Sequence, residues 1–551
     1  QLWSLGGQHP CLTASAAGLA LGQCETLSGA ATDDQNGYGA PAEQTWVIFP
    51  TDRPQIAVLD ELKLPLRVSG RYIIDTHGRR VKLVGVNWYG AHLEQLVNNG
   101  LGIAPMARIA KTIKHMGFNS VRLNYASFMH KPQNGQMPAV PDEGLVRANP
   151  ELLGLSALEV FDQVVEAVTA EGLLVIINRH MGKPGWCCSG DDGSELWFGE
   201  GYTTQDWLDS LTFMAARYKA NPRVVGIDIL NEPRLQERTT KLPWWGLEVD
   251  LTGSFGLKIV DWRVAASQGA VAVWKGNPES LVIVEGQMYA SNLQYVATLP
   301  MSLDQECLRS RVAYSSHDYD WYWPLYRLYN YIGYPLLGDC ANGKVFGWVR
   351  FLRDIKHVAR SVAAASLSGN SDVEADFSVE EGDELLSYPA WVETRNCATF
   401  YLDKNNWGVV WLSEFGTAAK DGNEYWEYLT RYLKETDASW CYWPVDAEKV
   451  PKNFPSKGDK GSPETFGIFD TSRRDYSAVV GWKLQDLVGI QQPSPWQPKW
   501  LPRPPRCHFD LEANLQASQQ ETPLSAWLIT LPGPLKGALP IALLLLSCCA
   551  A

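Results

Sequence analysis

The chain has 551 residues, 45% of them hydrophobic and 20% charged, which is enough for one large domain of roughly 250–400 residues with additions. Its formal net charge is -13 and it holds no basic run, so it lacks the clustered Lys and Arg that a phosphate backbone demands, and no nucleic-acid partner is expected. The 11 cysteines form no Cys-x-x-Cys pair and no Cys/His spacing of a zinc site, so no metal is expected, and their scatter fits an oxidising compartment. Cys187 and Cys188 are adjacent; because a bond between neighbours is geometrically disfavoured, each is expected to pair elsewhere or one to stay free.

In chain order, residues 1–50 carry Gln1-Leu2-Trp3, Cys11-Leu12-Thr13-Ala14, Leu19 to Cys24, and a second Gln-x-Trp at Gln44-Thr45-Trp46. This pattern resembles one repeat of a ricin-type β-trefoil lectin. Three such repeats close a trefoil core, so the resemblance implies the last repeat of a longer domain and a short N-terminal β extension here. Residues 51–66 read as a linker. Short apolar runs then alternate with stretches of helical spacing. The runs are Val81–Asn87, Asn119–Asn124, Leu173–Arg179, Val224–Asn231, Leu281–Gly286, Arg311–His317, Val409–Glu414 and Ser439–Trp443. Helical spacing marks Ala104–Met116, Ala157–Glu171, Thr204–Ala220 and Trp262–Trp274. Eight strands apolar enough to be buried on both faces, alternating with helices, predict an α/β fold, a (β/α)8 TIM barrel over residues 67–490.

Residues 366–387 are an acidic insertion read as a surface loop, and 491–537 a Pro-rich, polar linker. Residues 538–551 form an apolar tail, short for a membrane span. With the polar stretch Ala513–Thr522 before it, this tail suits a GPI-attachment signal, a tail anchor or a packed terminal helix being the alternatives. The expectation is a secreted or extracellular monomer with membrane attachment through the tail.

In such a barrel, chemistry gathers at the C-terminal ends of the strands. The predicted ends supply Asn87-Trp88-Tyr89, Arg122, Asn178-Arg179-His180, Asn231-Glu232-Pro233, His317-Asp318-Tyr319, Glu414-Phe415-Gly416 and Trp443. Glu232 and Glu414 stand out, since a protonated and an ionised carboxyl group facing each other are what cleavage of a glycosidic bond needs. The chain also holds 23 Trp, 22 Tyr and 16 Phe, and aromatic rings stack on the apolar faces of sugars. Trp88, Trp186, Trp321 and Trp323 are candidates for that stacking, with simple packing the competing reading.

Leu230-Asn231-Glu232-Pro233 and Trp411-Leu412-Ser413-Glu414-Phe415-Gly416 resemble the acid/base and nucleophile signatures of glycoside hydrolase family 5, the cellulase family, over residues 67–485. The resemblance implies Glu232 as acid/base and Glu414 as nucleophile. It implies Asn231 on the sugar 2-hydroxyl, Arg122 beside Glu414, Tyr319 hydrogen-bonded to Glu414, His180 and His317 along the glycone side, and Trp443 under the sugar. No cofactor is implied. Two departures are Ser413, where the family more often has Gly, and the acidic insertion. The Gly185-Trp186-Cys187-Cys188 to Leu196-Trp197-Phe198 loop resembles that of eukaryotic cellulase-like members. The substrate expected is a β-linked polysaccharide, foremost a β-1,4-glucan cut by a retaining endoglucanase. Mannan, β-1,3-glucan and glucosylceramide remain alternatives, as does a non-catalytic wall-binding role.

Overall fold

The described residues of the computed structural model are 59–322 and 388–491, apart from 131–139, 200, 294, 298, 450–461 and 471–475, together with 503–504, 509–520 and four short N-terminal strands. The acidic insertion 366–387, Trp323 and the apolar tail 538–551 lie outside them.

Eight strands close a barrel: β1 (Val84–Trp88), β2 (Ser120–Ala126), β3 (Leu174–Met181), β4 (Val224–Asp228), β5 (Leu281–Glu285), β6 (Val312–Asp318), β7 (Val410–Phe415) and β8 (Trp440–Tyr442). Each pairs in parallel with the next, and β8 returns to β1 through Trp440↔Val84, Cys441↔Gly85 and Tyr442↔Val86. Every strand residue is buried. A parallel strand covered by helices on one side and filled by barrel interior on the other has no wet face, which is why each read as an unbroken apolar run. All eight runs fall where the sequence places them. The fourth is shorter than expected: the ladder stops at Asp228, and the chain reaches Glu232 as irregular backbone.

The outer layer includes α1 (Met106–His115), α2 (Ala157–Ala170), α3 (Thr204–Arg217), α4 (Trp262–Gly276), α5 (Tyr388–Arg395), α6 (Glu424–Thr436) and α7 (Gly481–Gln491). Reciprocal capping boxes, Ser156 with Glu159 and Thr203 with Asp206, start α2 and α3 by satisfying their first free N–H groups. A Cβ at Gly269 of α4 would lie 2.7 Å from Trp207, so a glycine there lets α4 approach α3. Among the described residues no α-helix lies between β5 and β6; a 3-10 turn, Glu306–Arg311, precedes β6.

Three features depart from the sequence reading. Leu59 and Leu66 are buried in the main core, so the end of the expected 51–66 linker is packed. Between Glu232 and α4 the chain makes a three-stranded sheet, Lys241–Trp244, Val249–Leu251 and Leu257–Asp261, with a small core of Leu242, Leu247, Leu257 and Ile259. In the expected 491–537 linker, helix α8 (Leu511–Ser518) docks on α4, with Phe509 against Trp274 at 5.8 Å and Arg263 Nη2 donating to the Gln520 carbonyl at 2.9 Å. That cover accounts for α4 being buried nearly all round.

In the N-terminal region Leu2–Trp3 pairs antiparallel with Val47–Ile48, and Cys11–Ser15 with Gly18–Gly22. No helix among the described residues is long and apolar enough to cross a membrane.

Candidate active site

The strand ends converge on a cleft of about 360 Å³ lined by Glu232, Glu414, His180, Tyr319, Trp443 and Trp186, among others. One carboxylate oxygen from Glu232, one from Glu414 and a ring nitrogen of His317 lie within 4.8 Å of one another. Register explains the meeting: Asn87 stands beside Arg122 across β1 and β2, and His317 beside Glu414 across β6 and β7. Glu232 sits beyond the end of β4 with φ +46°, a left-handed conformation that a non-glycine residue adopts only when its surroundings enforce it. Two contacts fix it. Its N–H donates to Glu285 Oε2 at 2.7 Å, and its carbonyl accepts from Arg234 Nη1 at 2.9 Å. Arg234 is itself tied to Asp192 and to the Ser189 carbonyl.

Arg122 is fully buried and is the hub of the floor. It donates to Glu414 Oε1, Asp228 Oδ2 (2.9 Å), Asn87 Oδ1 (2.9 Å), Asn231 Oδ1 (2.9 Å) and Glu285 Oε1 (2.7 Å). Tyr319 donates to Glu414 Oε2 at 3.1 Å. Burial raises the Glu414 carboxyl above its usual range, while the charges of His317 and Arg122 pull it back. Burial disfavours a charged His317, yet Glu285, Glu414 and a hydrogen bond to Glu232 hold its pKa well above the ordinary imidazole value. His92 and His180 go the other way: burial, with Arg122 nearby, pushes His92 down to about 3, and burial with His92 and Arg122 takes His180 well below its usual value. The site thus pairs one charged imidazole with two neutral ones.

Two groups of side chains bring potential metal donors together among the described residues. His180, Cys187 and Cys188 offer no thiolate, because the two sulfurs are bonded to each other. Glu232, His317 and Glu414 are already engaged, with Arg122 and Tyr319 on Glu414 and His317 on Glu232.

The family model for cellulase (glycosyl hydrolase family 5) matches residues 74–324. This stretch belongs to glycosyl hydrolase family 5. A "Glycosyl hydrolase 5 family protein" of Chamaecyparis obtusa is 33% identical over 447 residues, covering 78% of this chain and 66% of its own length. An "Endoglucanase" of Paenibacillus polymyxa is 32% identical over 262 residues, covering 46% of this chain and 59% of its own length. The chain therefore spans less than two thirds of the length of these relatives. The catalytic domain of the major endoglucanase from Xanthomonas campestris superposes with a TM-score of 0.51 at 23% identity, covering 77% of this chain and 99% of that one, which speaks for the fold.

At the strand ends of the barrel, Arg122, His180, Asn231, Glu232, His317, Tyr319, Glu414 and Trp443 meet at one rim. His317 does not line the cleft as the resemblance implied. It is fully buried behind the two glutamates, with Nδ1 2.7 Å from Glu232 Oε1 and Nε2 3.5 Å from Glu285 Oε1. Trp88 is corrected as well: it is 0% exposed on the outer side of β1, its indole N–H donating to the Asn99 carbonyl at 2.9 Å, and it faces no cleft. The next residue, Tyr89, backs the site by stacking on Trp443 at 5.1 Å and meeting Trp186 edge-on at 5.8 Å. Trp186 and Trp321 are 41% and 52% exposed at the cleft mouth, placed where a sugar could stack. Ser413 is accommodated by a hydroxyl–hydroxyl bond to Ser315. Cys187 and Cys188, expected to pair elsewhere, are bonded to each other on the cleft wall.

The sequence reading missed Asp228, Glu285 and His92. Glu285 had a signal, a glutamate closing an apolar strand run as Glu414 does. Asp228 lay inside a run read as continuous strand, and His92 on a loop with no pattern around it.

Proposed function

We propose that the barrel is a retaining β-glycosidase, foremost an endo-β-1,4-glucanase, with Glu414 as nucleophile and Glu232 as acid/base. The observation that carries this reading is the approach of one oxygen from each glutamate within 4.8 Å across an open cleft. Retaining enzymes hold their two carboxyl groups about 5–5.5 Å apart, whereas inverting ones leave about 6.5–9.5 Å for a water between them. In the first half-reaction Glu414 attacks the anomeric carbon as the glycosidic bond breaks, and Glu232 gives its proton to the departing oxygen. In the second, Glu232 takes a proton from water, the water oxygen attacks the same carbon, and the bond to Glu414 breaks. Arg122 and Tyr319 hold the nucleophile in place, and Asn231 meets the 2-hydroxyl of the sugar resting on Trp443.

The endoglucanase name of the Paenibacillus relative supports a glucan over mannan and glucosylceramide. The two glutamates speak against a purely binding role, which would not need them. The Cys187–Cys188 bond suits an oxidising, extracytoplasmic location. The lectin-like reading of residues 1–50 and surface attachment through the tail belong to the same proposal.

The test is sugar release by the full chain from carboxymethyl cellulose, mannan, laminarin and glucosylceramide, beside Glu232→Ala and Glu414→Ala. Release from one substrate, lost in both variants, is the expected result and names the substrate. Activity surviving removal of either glutamate overturns the assignment.

A further inference from the structure

The loop after β3 brings Cys187 and Cys188 to the cleft wall, bonded to each other and lining the same space as Glu232, Glu414 and Trp443. A ring nitrogen of His180 lies within 4.8 Å of both sulfurs. On the other side, Asn231 Nδ2 is 3.4 Å from Cys187 Sγ and 3.4 Å from Cys188 Sγ. The orientation of that amide is set from behind: Oδ1 accepts from Arg122 Nη2 at 2.9 Å, so the amino group has to face the sulfurs. Sulfur is a weak acceptor. The amino group therefore keeps most of its donating capacity for any oxygen that comes within reach, while the sulfurs limit where that oxygen can sit. Two free thiols would each turn among staggered rotamers. Bonded to one another, neighbouring cysteines hold both sulfurs in one place.

We propose that the Cys187–Cys188 disulfide is a specificity-determining element of this site, a fixed apolar wall that confines the C2 side of the sugar against the Asn231 amide at the cleavage point. The inference rests on the roles given above for Glu232, Glu414 and Asn231. A sugar with a hydroxyl at C2 gains the amide donor. A sugar lacking it leaves a buried N–H facing only sulfur, and a site built to hydrogen-bond a hydroxyl rejects such an analogue strongly.

The test compares kcat/KM for 4-nitrophenyl β-cellobioside and for its analogue lacking the 2-hydroxyl on the sugar that is cleaved. In Cys187→Ala/Cys188→Ala the preference for the hydroxylated substrate should fall about tenfold or more, with the rate on the deoxy analogue changed by about threefold or less. On top of Asn231→Ala the same pair of substitutions should change the preference by less than about twofold, because wall and amide act as one unit. An unchanged preference, equal losses on both substrates, or full additivity with Asn231→Ala overturns the proposal. Should the alanine pair fail to fold, the wild-type enzyme assayed with the disulfide reduced by a phosphine carries the same comparison, because the free thiols remain weak acceptors. A wild-type enzyme inactive on both glycosides sinks the glycosidase reading itself, whereas an active wild type with an unaltered variant preference sinks the role of the disulfide alone.

Discussion

Replacing Arg122 by lysine conserves charge, yet the geometry predicts a severe loss. The guanidinium serves five acceptors, on Glu414, Asp228, Asn87, Asn231 and Glu285, all in the buried floor. A lysine ammonium has three donors on a single atom and cannot fork across the floor. At least two acceptors lose their partner, at about 1–3 kcal/mol each for a buried group left unsatisfied, so Arg122→Lys should destabilise the domain by about 2–6 kcal/mol. That is a large part of the ~5–15 kcal/mol by which domains are stable. The midpoint of urea unfolding measures it. Arg122→Met, which removes the charge, adds a kinetic signature. Burial already lifts Glu414 above the usual carboxyl range, and Arg122 is one of the charges opposing that lift. Without the cation the carboxyl rises further, and because the nucleophile must be ionised the acid limb of kcat/KM moves to higher pH. An Arg122→Lys variant that unfolds at the wild-type urea concentration, together with an Arg122→Met variant whose acid limb stays in place, would refute the reading of Arg122 as the hub of the site.

Two of the four tryptophans first grouped as sugar-stacking candidates should separate. Trp88→Ala should cost about 3–5 kcal/mol of stability as a large-to-small change in a packed interior, whereas Trp186→Ala, at an exposed position on the cleft mouth, should raise KM with little change in the unfolding midpoint. Near the start of β7, burial lifts the Asp403 carboxyl from 3.8 to about 7 against the pull of Arg71. Its folded pKa lies above the unfolded one, so its contribution is fully present below about pH 4 and is lost as the pH rises through 7. Asp403→Asn stays neutral throughout and should flatten the decline in stability between pH 4 and 7; urea midpoints that run parallel to wild type across that window would count against it.

The barrel was legible because its strands are buried on both faces, which stamps one compositional signature eight times. The rim was legible because a polar residue at the end of such a run breaks the signature. What escaped depended on direction or on partners far away in sequence. Trp88 and Tyr89 are neighbours, and alternation along a strand sends them to opposite sides of the barrel wall; the sequence run marks both as rim residues and does not say which turns inward. His317 has the composition of a cleft residue, but its place behind Glu232 comes from Glu285 on the adjacent strand β5. Helix α8 follows a Pro-rich stretch and is half polar, and its docking depends on the surface of α4 beneath it, through Trp274 and Arg263, far away in sequence. The small sheet after Glu232 is built from strands of three to five residues, too short for alternation to register.

The buried floor also sets the charge states that the proposed chemistry requires. Four carboxyl groups, Asp228, Glu232, Glu285 and Glu414, crowd around Arg122 and His317. A dry interior penalises net charge, so protons must settle some of these groups. Burial and the neighbouring Glu285 push Asp228 well above its usual range, against the pull of Arg122, and favour its neutral form. Burial also works against a charged Glu285, but His317, Arg122 and the N–H of Glu232 prevail and hold it at about 2, ionised. With His317 charged, the two cations Arg122 and His317 stand against Glu285 and Glu414 in the buried floor. The proposed retaining mechanism needs Glu414 ionised, and the charges of His317 and Arg122 favour that form against the pull of burial. In the proposed first step Glu414 gives up its charge on bonding to the anomeric carbon, and Glu232 gains one as its proton passes to the departing oxygen. His317 Nδ1, 2.7 Å from Glu232 and 3.6 Å from Glu414, therefore faces one negative charge between the pair before and after the step. The charge changes place while the sum stays constant, so the buried floor need not reorganise during bond cleavage, the kind of preorganisation from which active sites draw much of their rate.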